Sequence, residues 1–70
     1  MSQAINVVVN GEERSLDRGT SIIALLELLD LDPRTVVVEV NRTVVRTPTL
    51  AATELHEGDR IELVHFVGGG

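Results

Sequence analysis

The side chains with the most versatile chemistry in this 70-residue sequence are two histidines, His56 and His65, and they lie nine positions apart. That spacing does not match two metal ligands on successive turns of a helix. Ser15 and Ser21 have no histidine and acid placed to form a nucleophilic triad with them. Cysteine is absent, which excludes a disulfide, a thiolate metal site and a cysteine nucleophile. The acid pairs Glu12 with Glu13 and Asp30 with Asp32 read as solvated charges beside turns. Asn10-Gly11 and Gly58-Asp59 punctuate turns and do not cradle phosphates. What remains is the end of the sequence, where an apolar run over residues 61–67 leads directly into Gly68-Gly69-Gly70.

Glycine has no Cβ, so a run of glycines can pass through a narrow slot and approach a ligand closely. Residues 67–70 reach roughly 13–14 Å when fully extended. That is enough to carry the carboxylate of Gly70 into a partner's site while the folded body docks outside, with Gly68 and Gly69 as the inserted tail. The expected working group is therefore a main-chain carboxylate, and the expected catalytic side chains and bound metals are none.

Composition points the same way. Eleven acids against six bases give a net charge of −5, with no basic footprint for nucleic acid. Acidic domains are steered toward proteins with positive surfaces. No apolar stretch is long enough for a membrane span, and no secretory leader is visible, so a cytoplasmic, non-membrane protein is expected. A domain this small buries only about 60% of the surface its unfolded chain exposes. With one phenylalanine and neither tryptophan nor tyrosine, its core must be aliphatic.

The elements that must position the tail follow from periodicity. Ile5, Val7 and Val9 alternate with Asn6 and Val8, the period of a strand. Asn10-Gly11 is a strong hairpin signal, and residues 12–16 form the returning strand. Thr20 or Ser21 can cap a helix over residues 22–29, with Ile22, Leu25, Leu26 and Leu29 on one face and Ile23 at its margin. Pro33 stops that helix at or shortly before Asp32. Residues 35–40 make a third strand, with Val36, Val38 and Val40 on one side and Val37 and Glu39 on the other. A turn at Asn41-Arg42 leads to a short strand over residues 43–46. Residues 47–57 read as irregular, with Leu50 and Leu55 plugging the core, and residues 60–67 form the last strand.

This order predicts an α+β, β-grasp (ubiquitin-like) domain: a mixed four- to five-stranded sheet with one main helix on one face. Residues 1–67 form the domain and residues 68–70 a flexible tail. The sheet's other face is open. In the last strand Ile61 and Leu63 face the helix, so alternation turns Glu62, Val64 and Phe66 outward. Val37 and Val8 turn outward by the same argument. Phe66, Val64, Val37 and Val8 are thus the candidate partner-binding surface.

The final segment, from Glu57-Gly58-Asp59-Arg60 through Gly68-Gly69-Gly70, resembles the end of the ThiS family of thiamine-biosynthesis sulfur carriers. Val9-Asn10-Gly11-Glu12, the Leu25-Leu26-Glu27-Leu28-Leu29 stretch and Val38-Glu39-Val40-Asn41 match the same family in order. The resemblance implies that a ThiF-like adenylating enzyme, using ATP and magnesium, activates the Gly70 carboxylate. It implies further that a persulfide carrier, charged by a cysteine desulfurase, converts it to a thiocarboxylate. Thiazole synthase, ThiG, would then receive the sulfur. On this reading the chain is a protein cosubstrate with no bound cofactor of its own. One departure is Arg46-Thr47-Pro48, where the family often has proline sooner after the valine pair; it bears on the fourth strand and not on the tail. The alternatives are a MoaD-like carrier for molybdopterin synthesis and a non-catalytic β-grasp interaction module.

Overall fold

The computed structural model describes residues 3–66. Its strands are β1 (Ala4–Val9), β2 (Glu12–Asp17), β3 (Val36–Val40), β4 (Thr43–Val45) and β5 (Arg60–His65), with one α-helix, α1 (Ile22–Leu28). Two 3-10 segments, Pro33–Thr35 and Thr47–Ala52, complete the order. The strands form one sheet in the order β2-β1-β5-β3-β4. β1 and β5 run parallel in its centre and every other neighbouring pair is antiparallel. A mixed sheet with a single main helix over one face is the β-grasp fold expected from the sequence.

Two tight turns set the register. Asn10 and Gly11 both have positive φ, 49° and 84°, the geometry whose twist matches paired strands. The turn fixes Val9 opposite Glu12 and carries the pairing down to Ala4 opposite Asp17. Ile5, Val7, Val9 and Leu16 therefore share the helix side, and all four are buried. At the second hairpin Asn41 and Arg42 take φ of 51° and 71°, costly for the arginine, which has a Cβ. Asn41 compensates by bonding outward. Its Nδ2 donates to Asp59 Oδ1 at 3.0 Å, and its Oδ1 accepts from the Arg60 N–H at 3.0 Å.

Helix α1 begins where Ser21 Oγ accepts the Ala24 N–H at 3.1 Å, satisfying one of the donors a helix start leaves unpaired. The neighbouring Thr20 hydroxyl donates instead to the Asp17 carbonyl at 2.6 Å. The helix ends earlier than expected, and by another device. Asp30 takes φ 60°; its N–H donates to the Glu27 carbonyl at 3.1 Å and the Leu31 N–H to the Leu26 carbonyl at 2.9 Å. This paired closure is the Schellman arrangement, with aspartate in the left-handed position glycine usually fills. Pro33 comes later and opens the first 3-10 segment. Asp32 caps that segment by accepting the Arg34 N–H at 2.8 Å, and the two side chains pair at 2.9 Å. The side-chain hydrogen bond from Arg34 holds the exposed Asp32 carboxyl below its ordinary value, helped by the Arg34 backbone N–H.

Thirteen aliphatic side chains make the core, and no polar side chain is buried among the described residues. Ile22, Leu25 and Leu26 descend from the helix onto Val7, Val38, Ile61 and Leu63 of the sheet. Leu50 and Leu55 close one edge, each 1% exposed. The stretch expected to be irregular is partly ordered, because Pro48 seeds the 3-10 segment Thr47–Ala52 and Ser21 bridges to Glu54. β4 is one residue shorter than expected. β5 ends at His65, although the Phe66 N–H still donates to the Thr35 carbonyl at 3.2 Å. Val67 and the expected domain–tail boundary lie outside the described residues. Among those residues, no helix is long and apolar enough to cross a membrane.

Leu26 and Leu63 both belong to the core between helix and sheet. Leu→Ala at either position is expected to cost about 2–5 kcal/mol through lost burial and a residual cavity. The check is the midpoint of urea unfolding, which should fall for both variants.

Candidate functional site

The last strand of the chain lies in the middle of the sheet. On one side β3 pairs with β5 from Val40 opposite Ile61 to Val36 opposite His65. On the other, β1 supports only its first half. The Val8 N–H donates to the Asp59 carbonyl and the Asn10 N–H to the Ile61 carbonyl, both at 2.9 Å. There the β1–β2 hairpin turns away. The Asn10 side chain then continues the ladder by one step. Its Oδ1 accepts the Leu63 N–H at 2.8 Å, and its Nδ2 donates to the Leu63 carbonyl at 3.2 Å. Both peptide groups of Leu63 are thereby held by an amide that mimics a strand residue. β5 ends two residues further on, at His65. Gly68, Gly69 and Gly70, the expected tail and its reacting end, lie outside the described residues.

The face of the sheet away from α1 carries the other expected residues. Val37 lies directly opposite Val64, and Phe66 stands two positions beyond Val64 on the same side. These three are 38%, 54% and 48% exposed. Val8 shares the face but not the cluster. It pairs with Arg60, four residues before Val64, and is half-buried in a shallow concavity lined by Gly11, Arg42, Arg60 and Glu62. Sequence reasoning missed Val44, which is 58% exposed. Its register opposite Glu39 makes it the diagonal neighbour of Val37 on the same face. The two-residue turn at Asn41-Arg42 already implies that pairing.

Immediately beside the Val37–Val64 pair, Glu39 sits directly opposite Glu62. Like charges so placed oppose each other across the strands. The open face thus joins an apolar cluster near the end of β5 to a pair of carboxylates in its centre.

The side chains dismissed as catalytic candidates are scattered. His56 precedes the turn at Gly58-Asp59, and His65 ends β5; both are exposed. Ser21 is committed to the helix cap and Ser15 lies on edge strand β2. No group of acids and histidines suited to a metal ion occurs among the described residues.

A mixed five-stranded sheet with one main helix over one face places the chain among the ubiquitin-like, β-grasp proteins. Comparison with known proteins names the kind. The family model of the ThiS family matches residues 7–70. The chain is 36% identical over 63 residues to the sulfur carrier protein ThiS of Bacillus subtilis, covering 89% of this chain and 96% of that one. Its structure resembles the crystal structure of the thiamine biosynthesis protein ThiS from Geobacter metallireducens. The TM-score is 0.81 at 32% identity, over 94% of this chain and 100% of the other. It is also 42% identical over 66 residues to a thiazole synthase of Magnetococcus marinus; that match covers 94% of this chain but only 20% of the synthase. The chain belongs to the ThiS family.

Two substitutions test the open face in the free protein. Relieving the Glu39–Glu62 opposition with Glu62→Gln should raise stability by a few tenths of a kcal/mol, up to about 1. Phe66→Ala should leave it within about 0.5 kcal/mol, since an exposed ring leaves no cavity. Thermal and urea unfolding of both variants would check these values.

Proposed function

We propose that this chain is a sulfur carrier whose Gly70 carboxylate is converted to a thiocarboxylate that supplies the sulfur of the thiazole ring in thiamine biosynthesis. The observation that carries the reading is the glycine run that follows β5 in a chain whose match to the family extends to residue 70. A carboxylate accepts a nucleophile only once one of its oxygens has become part of a good leaving group. A ThiF-like enzyme would provide this by joining Gly70 to the AMP part of ATP, with magnesium neutralising the phosphates and pyrophosphate departing. The terminal sulfur of a persulfide, charged by a cysteine desulfurase, would displace AMP. A thiol would then cut the resulting S–S bond, ending as a disulfide and leaving the thiocarboxylate on Gly70.

Tethering the sulfur to a folded body raises its effective concentration at the enzyme that uses it. The likeness to a thiazole synthase of Magnetococcus marinus supports ThiG as that enzyme. The B. subtilis and G. metallireducens relatives likewise favour the thiazole branch over a molybdopterin carrier. On this reading the Val37, Val64 and Phe66 cluster docks on the partner while Gly68 and Gly69 thread its active-site entrance. Arginine or lysine beside the partner's apolar contact would complement Glu39 and Glu62.

Intact-mass analysis tests the chemistry. Incubation with a ThiF-like enzyme, ATP, magnesium and a persulfide source should raise the chain's mass by the difference between one sulfur and one oxygen atom. Deleting Gly70 shortens the reach by about 3.5 Å, and fusing a tag after it removes the free carboxylate. Both should abolish the mass change while the fold persists. A tagged chain that gains the same mass would refute the carrier reading. In titration calorimetry Phe66→Ala should weaken partner binding by about 2 kcal/mol if the ring is a central anchor.

A further inference from the structure

Both hairpins turn on two residues with positive φ, and they differ at the second of them. The first hairpin has Gly11 there, with φ 84°, and the second has Arg42, with φ 71°. Glycine takes such a φ at no steric cost, whereas the Cβ of an arginine is strained by it. Nothing in the fold offsets that strain through the arginine side chain. Among the described residues the Arg42 guanidinium makes no hydrogen bond, and the one ion pair joins Asp32 to Arg34. Strain held at an exposed residue without a structural partner points to a role outside the domain.

Arg42 has a neighbour of like charge. The turn is tied to the start of β5, where the Asn41 N–H donates to the Arg60 carbonyl at 2.8 Å and the Arg60 N–H donates to Asn41 Oδ1 at 3.0 Å. Arg42 and Arg60 are both exposed, and both line the shallow concavity over Val8. The acid next to Arg60 is committed elsewhere. The Asp59 carboxylate accepts from Asn41 Nδ2 at 3.0 Å and from the His56 N–H at 2.8 Å. Glu62 borders the same concavity but forms no ion pair with either arginine. Along β5 the open face therefore runs from a base, Arg60, through an acid, Glu62, to the apolar Val64.

We propose that Arg42 and Arg60 receive an aspartate or glutamate side chain of the adenylating enzyme, a positioning contact that sets the direction in which the chain docks. The inference rests on the carrier reading for the identity of that enzyme. Two guanidinium groups offer the paired donors that a carboxylate accepts best. A free anion is disfavoured, because the net charge of −5 repels it and a shallow concavity leaves it hydrated. A carboxylate fixed on a docked surface is brought there by the apolar contact instead. Arg60 lies about 13 Å along the strand from Val64, so the two contacts together define an orientation that neither defines alone. Turned end for end, the partner's acid would meet Glu39 and Glu62, and its base would meet the arginines.

The test compares Arg42→Gly and Arg60→Gln with Arg14→Gln, which makes an equal change of charge opposite Val7 on the other face of the sheet. Arg42→Gly should raise the urea midpoint, because glycine relaxes the turn, and Arg60→Gln should leave it unchanged. Binding is measured by titration calorimetry against a ThiF-like adenylating enzyme from the genome that encodes this chain. We expect Arg42→Gly and Arg60→Gln each to weaken affinity about tenfold, and Arg14→Gln to leave it unchanged. Removing an arginine makes the chain more negative and strengthens its long-range attraction to a basic surface, so weaker binding identifies an acid at the concavity. Normal affinity of both variants, or an equal loss with Arg14→Gln, overturns the acidic contact and leaves the carrier reading intact. A lowered urea midpoint for Arg42→Gly overturns it as well, by assigning Arg42 to the fold. Amide shifts at Arg42 and Arg60 that saturate with inorganic phosphate alone overturn the partner carboxylate in favour of a free anion. No binding by the unmodified chain overturns the carrier reading and this contact with it.

Discussion

The short parallel pairing of β1 with β5 is the constraint on which the rest depends. It puts the last strand of the chain in the centre of the sheet, between β1 and β3. β5 is therefore an interior strand and not an edge of the sheet. Parallel neighbours need a crossover connection. Between β1 and β5 the chain adds β2 on one side of the sheet and β3 and β4 on the other, and α1 crosses one face to join them. The same arrangement that anchors the last strand thus covers one side of the sheet and leaves the other bare.

Anchoring is graded along β5. Its first half has backbone partners on both sides, from β1 and β3. Leu63 has β3 beside it and a borrowed amide from Asn10 on the other side. At His65 the described support on the β1 side is gone. An asparagine suits the transition because it tolerates the left-handed backbone of the turn and offers both a donor and an acceptor. Aspartate could hold the turn but would set a carboxylate against the Leu63 carbonyl. Glycine could hold the turn and would leave both groups of Leu63 unmet.

Much of this was legible beforehand, because short-range rules govern most of it. Alternation placed Ile61 and Leu63 inside, and the two-residue turns fixed the hairpins. Helical spacing found Ile22, Leu25 and Leu26. Other features were hidden where one residue type serves two purposes. Asp30 reads as one more surface acid, so the sequence points to Pro33 as the helix stop, whereas the backbone of Asp30 makes it. Asn10 is explained by its turn alone, which concealed its long-range bond to Leu63. Periodicity places Val8 with Val64 because it reports the face of a strand and not the position along a neighbour. Their separation depends on the parallel register of β1 and β5, which alternation along a single strand does not reveal. The tail was legible only as composition and order, and Gly68, Gly69 and Gly70 lie outside the described residues.

The open face combines two features that do nothing for the isolated domain. Exposed Val37, Val44, Val64 and Phe66 contribute little burial, and the opposed Glu39 and Glu62 cost stability. Scattered apolar residues on a surface need no explanation. These, however, are adjacent by register, border the carboxylate pair, and lie beside the strand that leads to the glycine run. A domain with so small a core has little stability to spare. A lysine or arginine seated between the two glutamates would turn a repulsion into two attractions, while the valines and Phe66 were covered in the same event. A free-state cost of this kind works as discrimination: it is relieved only by a surface that is apolar and basic at matching positions, and an acidic or uncharged surface leaves the carboxylates opposed and less hydrated than before. If this face docks on a partner, as proposed, its composition would bear on which proteins are rejected as much as on which are bound.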